Sequence, residues 1–275
     1  AYLIRYSTMI ESPLDELGLT GILENLVQNG KTLEMAKRAI ATLGEYLFFV
    51  ATQAEGEEVV SNWVVSEDSL GTLLWALDPS RDEVIKFYAV KSIENISALT
   101  SVAEMYFANS NFISAVIDIY LVSKLHELRI SAIYTVSHLI RLNPKLFEVL
   151  VSKISFKLFL TKFINEVPKI QQAMINCLIF GAKQFGRQLM QDLTTLINNN
   201  KLNNNEIDVI KKDEFGAVLS YLIENIESGS STSKMKLVLL FNFFLTDLSS
   251  IILLNDLKLF QTITKLKKDP HLELR

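Results

Sequence analysis

Apolar residues along this chain return at steps of three and four over long stretches, the spacing that lines one face of an α-helix, and no stretch alternates convincingly like a strand. The clearest unit opens at Leu73-Leu74-Trp75-Ala76-Leu77 and breaks at Asp78-Pro79-Ser80-Arg81-Asp82. It resumes at Glu83-Val84 and runs on to Ala89-Val90-Lys91-Ser92-Ile93-Glu94-Asn95-Ile96. The pattern predicts a Leu-rich helix end, a short loop of Pro, Ser and Asp, and then a longer helix. Within that longer helix Ala89 is small, Ile93 four residues on is apolar, and Asn95 six residues on is polar. A small side chain lets a neighbouring helix come close, the apolar one fills the space between them, and the polar one is expected on the open side.

Aligned on the small residue, the unit recurs at Ala39 (with Leu43 and Glu45), Ala132 (Val136, His138) and Ala173 (Cys177, Ile179), and more loosely at Leu237 (Phe241, Phe243). Successive spacings are 50, 43, 41 and 64 residues. The first three suit a two- or three-helix repeat of about 40 to 47 residues with modest loop variation. The last interval holds Asn198-Asn199-Asn200-Lys201-Leu202-Asn203-Asn204-Asn205, a polar run of low complexity expected to form a loop at about 198–206. Shorter helices are expected ahead of the long ones at Leu70–Leu74, Phe112–Ile117, Phe156–Leu160 and Phe215–Leu219.

The unit around Ala89 resembles the armadillo consensus. That resemblance implies an all-α, armadillo/HEAT-like right-handed superhelical solenoid of about five to six repeats. Residues 1–275 are expected to form it as a single domain, because each repeat shares its core with its neighbours. The long third helix of each repeat would line the open groove, where two residues one turn apart point outward together. The corresponding pairs are Ala41/Glu45, Lys91/Asn95, Tyr134/His138, Ile175/Ile179 and Leu239/Phe243. Glu45, Lys91, Asn95, Tyr134, His138, Ile179 and Phe243 are therefore the candidate partner-binding residues. The first three pairs suit the backbone amides of an extended peptide; the last two suit a partner helix or a second solenoid. The competing reading makes Asn95 a partner of neighbouring backbone and Ile179 and Phe243 ordinary core.

Charge narrows the class of partner. With 27 basic against 31 acidic residues and a net charge of −4, the chain has no clustered Lys/Arg face for a phosphate backbone, so no nucleic-acid partner is expected. Half the residues are apolar, enough for a sizeable core. One cysteine, Cys177, excludes an internal disulfide framework and points to a reducing, cytoplasmic setting. The opening Ala1-Tyr2-Leu3-Ile4-Arg5 has no signal-peptide character and reads as part of a longer chain. Leu237 to Leu254 is the best candidate for a membrane span, but Asp247 near its middle would cost about 2.5 to 3.5 kcal/mol to insert. Two buried helices meeting at a polar turn, capped by Asp247 or a nearby Ser, fit better than a span.

Catalytic chemistry is missing from the sequence. A kinase needs a Gly-rich phosphate loop, a strand Lys, an HRD-type loop and a DFG metal ligand, and none is present. Asp213-Glu214-Phe215-Gly216 carries an extra residue and leads into an apolar helix, which marks it as an acidic first turn. His126, His138 and His271 have neither paired spacing nor Cys partners for zinc. Cys177 falls on the apolar core position of its helix, as a buried inert thiol. No catalytic, cofactor or metal residues are expected.

The run Ala41-Thr42-Leu43-Gly44-Glu45-Tyr46-Leu47-Phe48-Phe49-Val50-Ala51-Thr52-Gln53 resembles a segment in the helical-repeat half of the Unc-51-like kinase four family, the Fused-related pseudokinases. Trp63-Val64-Val65, Ile93-Glu94-Asn95, Arg129-Ile130-Ser131-Ala132 and Lys169-Ile170-Gln171-Gln172 follow in the same order, so the resemblance covers roughly Lys37 to Leu254. It implies a kinase-like domain outside this chain, association with cilia and microtubule structures, and a Fused-type kinase or cytoskeletal protein as partner. The alternatives are the regulatory repeat tail of an active serine/threonine kinase and a peptide-binding transport adaptor. The adaptor predicts Trp/Asn pairs down several third helices, whereas only Asn95 matches.

Overall fold

The computed structural model describes residues 18–56, 65–99, 103–201, 214–245 and 248–269, and every regular element among them is helical. The chain falls into two compact units, Ala1–Lys153 and Ile154–Arg275.

In the first unit α1 (Leu19–Asn29), α3 (Glu67–Ala76) and α6 (Ser110–Val122) are the shorter layer, each followed by a long helix: α2 (Leu33–Gly56), α4 (Glu83–Leu99) and α7 (His126–Leu142). Two further short helices, α5 (Ala103–Phe107) and α8 (Leu146–Ile154), follow the second and third long ones. The long helices pack α2 on α4 and α4 on α7, and the short ones pack α1 on α3 and α3 on α6, so each repeat contributes one helix to each layer. Local chemistry sets the starts. Ser66 caps α3 by accepting from Ser69 N at 3.1 Å. Asp82 accepts from Val84 N at 2.9 Å at the start of α4. Asn109 caps α6, accepting from Asn111 N at 3.1 Å and Phe112 N at 3.2 Å.

The repeat alignment locates the core. The small residues Ala39, Ala89 and Ala132 are at most 4% exposed, and Leu43, Ile93 and Val136 four positions on are fully buried. Gly44 marks the closest approach of α2 to α4. A Cβ there would lie 1.8 Å from Ser92 Oγ, so only glycine lets the two helices meet at this depth.

In the second unit α9 (Phe156–Asn165) and α11 (Glu214–Ser228) are short-layer helices, and α10 (Pro168–Lys201) and α12 (Ser231–Phe244) pack together as the long ones. Helices α13 (Leu248–Asp256) and α14 (Leu259–Lys265) follow, with a 3₁₀ turn at Leu266–Lys268. Pro168 opens α10, where its missing N–H costs nothing. Ala173, Cys177, Leu237 and Phe241 are fully buried, so the alignment holds in both units.

One expectation changes here and another holds. Helix α10 runs on to Lys201, so Asn198-Asn199-Asn200-Lys201 is helical and not loop. No proline or glycine interrupts the turns leading into it, and Asn disfavours a helix only weakly; residues 202–206 lie outside the described residues. The apolar stretch from Leu237 to Leu254 is indeed split between two helices, α12 ending at Phe244 and α13 starting at Leu248. Thr246 and Asp247, and with them the Asp247 alternative for the cap, lie outside the described residues. Among the described residues no helix is long and apolar enough to cross a membrane.

Candidate partner-binding face

Four of the seven sequence-predicted residues sit on α4 and α7, and three of them come together. Lys91 of α4 pairs with Glu94 one turn on, Nζ to Oε1 at 2.9 Å. Glu94 also accepts a hydrogen bond from Ser131 Oγ of α7, and so ties the two helices. On α7 the rings of Tyr134 and His138 lie 6.5 Å apart, tilted by 35°. Burial, and then the Glu94 carboxylate, raises the Tyr134 phenol above its ordinary range. Burial first, then the charges of Arg141 and Lys91, pulls His138 down to about 4, so its imidazole is neutral at pH 7. Lys91 is thus felt by His138 and Glu94 by Tyr134 across the helix pair.

The register of that pair is fixed by polar groups. Thr135 Oγ1 donates to Ser131 O at 2.8 Å and reaches Val90 O of α4 at 3.4 Å. Arg141 Nη2 donates to Ser97 O at 2.6 Å. These bonds hold α7 at one height against α4.

Asn95 is half-buried on α4, and among the described residues its side-chain amide makes no hydrogen bond. It is therefore not spent on neighbouring backbone. Glu45, at the same place on α2, is half-buried beside the Gly44 contact. In the second unit the expectation divides. Ile179 is 6% exposed and Ile175 4%, which makes both core and corrects their assignment to an open groove. Burying such apolar β-branched side chains is favourable, and neither carries a polar group that must reach a partner. Phe243 is half-buried, its carbonyl 2.8 Å from where a Cβ on Gly186 would stand, while Leu239 one turn earlier is 45% exposed.

Sequence reasoning missed a cavity of about 860 Å³ in the first unit, away from the α4–α7 pair of third-helix faces. Its walls are the end of α3, the Asp78–Arg81 loop, the first turn of α4, α6 with Ser123 after it, and α8. The guanidinium carbon of Arg81 lies 3.8 Å over the ring of Trp75. The Arg81 Nε is closed to solvent and has no hydrogen-bond partner. Lys86, 8% exposed, donates to Pro79 O at 2.7 Å, and Lys153 pairs with Asp118 at 2.6 Å. The signal in the sequence was a tryptophan closing one helix and an arginine six residues on, across a Pro-containing turn.

Catalytic equipment is not assembled among the described residues. No group of three His, Cys, Asp or Glu there could hold a metal ion. Cys177 is fully buried and its thiol is pushed well above the ordinary range by desolvation, which keeps it protonated and inert. The acidic Glu214 begins α11, as its place in the sequence implied.

Designed armadillo repeat proteins are among the solved structures that this chain resembles. One, designed for modular peptide recognition, matches with a TM-score of 0.64 at 15% identity over 92% of this chain and 94% of that one. Another, in complex with the peptide (KR)4, gives 0.63 at 16% identity over the same shares. With the stacked two-layer repeats, they define the class: an all-α, armadillo-like solenoid. No protein-family model matches the chain. Among curated proteins it is 30% identical over 210 residues to the serine/threonine-protein kinase RUNKEL of Arabidopsis thaliana, covering 68% of this chain and 15% of that kinase. It is 24% identical over 158 residues to the serine/threonine-protein kinase ULK4 of Mus musculus, covering 57% of this chain and 12% of that one. The chain belongs to this Fused-related kinase family and corresponds to its helical-repeat region. It spans less than a sixth of the length of either relative.

Proposed function

We propose that this chain is a non-enzymatic protein-binding scaffold, the repeat part of a Fused-related pseudokinase, and that it serves assembly or signalling at cilia or microtubules. The observation that carries the binding role is Asn95. It is a half-buried amide without a partner among the described residues, on the third-helix face that also holds Lys91, Tyr134 and His138. An amide with a free donor and a free acceptor is suited to the alternating groups of an extended peptide backbone. The neutral His138 and the Tyr134 ring offer apolar and hydrogen-bonding surface beside it. A designed armadillo neighbour that holds a peptide supports the same use of the fold. The pseudokinase and ciliary parts of the reading rest on the family alone.

Two measurements test it. Capture from source cells with the wild-type chain, and with an Asn95→Ala, Tyr134→Ala double variant, should recover a Fused-type kinase or a cytoskeletal protein only with the former. Recovery of neither protein with wild type argues against the ciliary reading. An ATPase or kinase assay on the chain alone should show no turnover, and turnover would end the scaffold account.

A further inference from the structure

We propose that the cavity between α3, α6 and α8 is a second recognition site, one that takes an extended peptide through a single carboxylate set beside an apolar side chain. This inference stands on residues separate from the third-helix face and does not depend on it.

The first argument is Arg81. A guanidinium presents a planar fork of donors matched to a carboxylate, and in a folded chain such a fork is normally committed to an acceptor. Here it is positioned by stacking on Trp75, its Nε is sealed from water without a partner, and among the described residues its side chain makes no hydrogen bond or ion pair. Stacking holds the group in place; its charge is felt by the Asp78 carboxylate, but its donors are left for another acceptor.

Every other charge on the wall is engaged. Lys86 is tied to Pro79 O, and Lys153 to Asp118. Asp78 accepts from both N and Oγ of Ser80, and Glu83 accepts from Ser123 Oγ at 3.1 Å. Arg81 is the lining cation whose donors have no acceptor among the described residues. The remaining wall is mostly apolar, with Asn111 and several serines as its uncharged polar residues. Leu74, Ala115, Ile119 and Val149 line it, and Val122 stands 77% exposed at α6. A volume of about 860 Å³ is of ligand-site size and admits more than one side chain.

Net charge selects the anion. Three cations, Arg81, Lys86 and Lys153, face three carboxylates, Asp78, Glu83 and Asp118. A carboxylate monoanion meets the Arg81 guanidinium in a site that is neutral overall and, apart from Arg81, carries one more carboxylate than cations. A phosphate dianion would bring twice the charge towards the same three carboxylates, and is disfavoured.

The test is selection of a randomised displayed heptapeptide library on the full chain, followed by affinity measurements with the selected peptides. Expected sequences carry Asp or Glu next to Leu, Ile, Val or Phe. Replacing that acid by its amide, or Arg81 by Ala, should each weaken binding about tenfold or more, with Arg81→Lys between wild type and Arg81→Ala. Val122→Asp alters an exposed position and should leave the melting curve unchanged while lowering affinity by charge repulsion. It decides the matter if Arg81→Ala unfolds. A pool without acids overturns the proposal. So does tighter binding of the phosphoserine form of a selected peptide than of its Glu form. So does a pool that survives Arg81→Ala and Val122→Asp but is lost on Asn95→Ala.

Discussion

The two units join their long helices by different means. In the first, α4 and α7 meet through Glu94 with Ser131, Thr135 with the Val90 carbonyl, and Arg141 with the Ser97 carbonyl, and α2 reaches α4 at the Gly44–Ser92 contact. In the second, α10 and α12 bury Ala173, Cys177, Leu237 and Phe241, and approach backbone to Cα where Gly186 faces the Phe243 carbonyl. Polar contacts are directional, so they define one height and one rotation for each helix. Apolar packing defines volume more than register. Polar third-helix residues are placed reproducibly on the face of the first unit, while in the second unit Ile175 and Ile179 have gone into the core. A stack that must present side chains gains from the first design, and one that must only hold together gains from the second.

The largest effect should come from the apolar packing of α10 on α12 in the second unit. Phe241→Ala removes a fully buried ring, and its cost should be about 3 to 5 kcal/mol in denaturant melts. A loss under about 1 kcal/mol would mean that the second unit is not held by that packing. In the first unit His138 makes stability depend on pH. Its folded value of about 4 lies below the ordinary 6.5. Above 6.5 the ring is neutral in both states and contributes no slope. As pH falls from about 6.5 to about 4, the unfolded chain takes up the proton first, so stability declines, and below about 4 the decline levels off. The full loss should be about 1 to 3 kcal/mol, and His138→Gln should remove that part of the slope. A wild-type and variant pair with identical pH profiles would show that His138 is not desolvated. Smaller still is Ser131→Ala, which leaves Glu94 with one partner fewer and should cost about 0.5 to 1.5 kcal/mol. A Glu94→Ala, Ser131→Ala double-mutant cycle should show coupling, and strict additivity would contradict the bond between α4 and α7.

Much of the fold was legible because the repeat signal is local. Ala39, Ala89, Ala132, Ala173 and Leu237, with the apolar residue four positions after each, are all core, as aligned. Those positions lie on one helical stripe, so spacing alone finds them. The candidate face was legible in part. Lys91, Tyr134 and His138 come together as the alignment placed them, but whether position six after the small residue is open depends on what packs over it, and at Ile179 it is closed. The extra turns of α10 escaped notice because low complexity was read as loop although nothing there breaks a helix. The Arg81 cavity escaped because its walls come from four segments spread between Leu74 and Lys153 and no single stretch carries their pattern.

The central claim is that the third-helix face of the first unit binds a protein segment. The most direct test is the affinity of the captured partner, or of its minimal binding peptide, for the wild-type chain and for Asn95→Ala. Asn95 is half-buried with no described partner, so the thermal midpoint should hold steady while Kd rises about fivefold to tenfold, the worth of one or two lost backbone hydrogen bonds. An unchanged Kd at an unchanged midpoint would contradict the account.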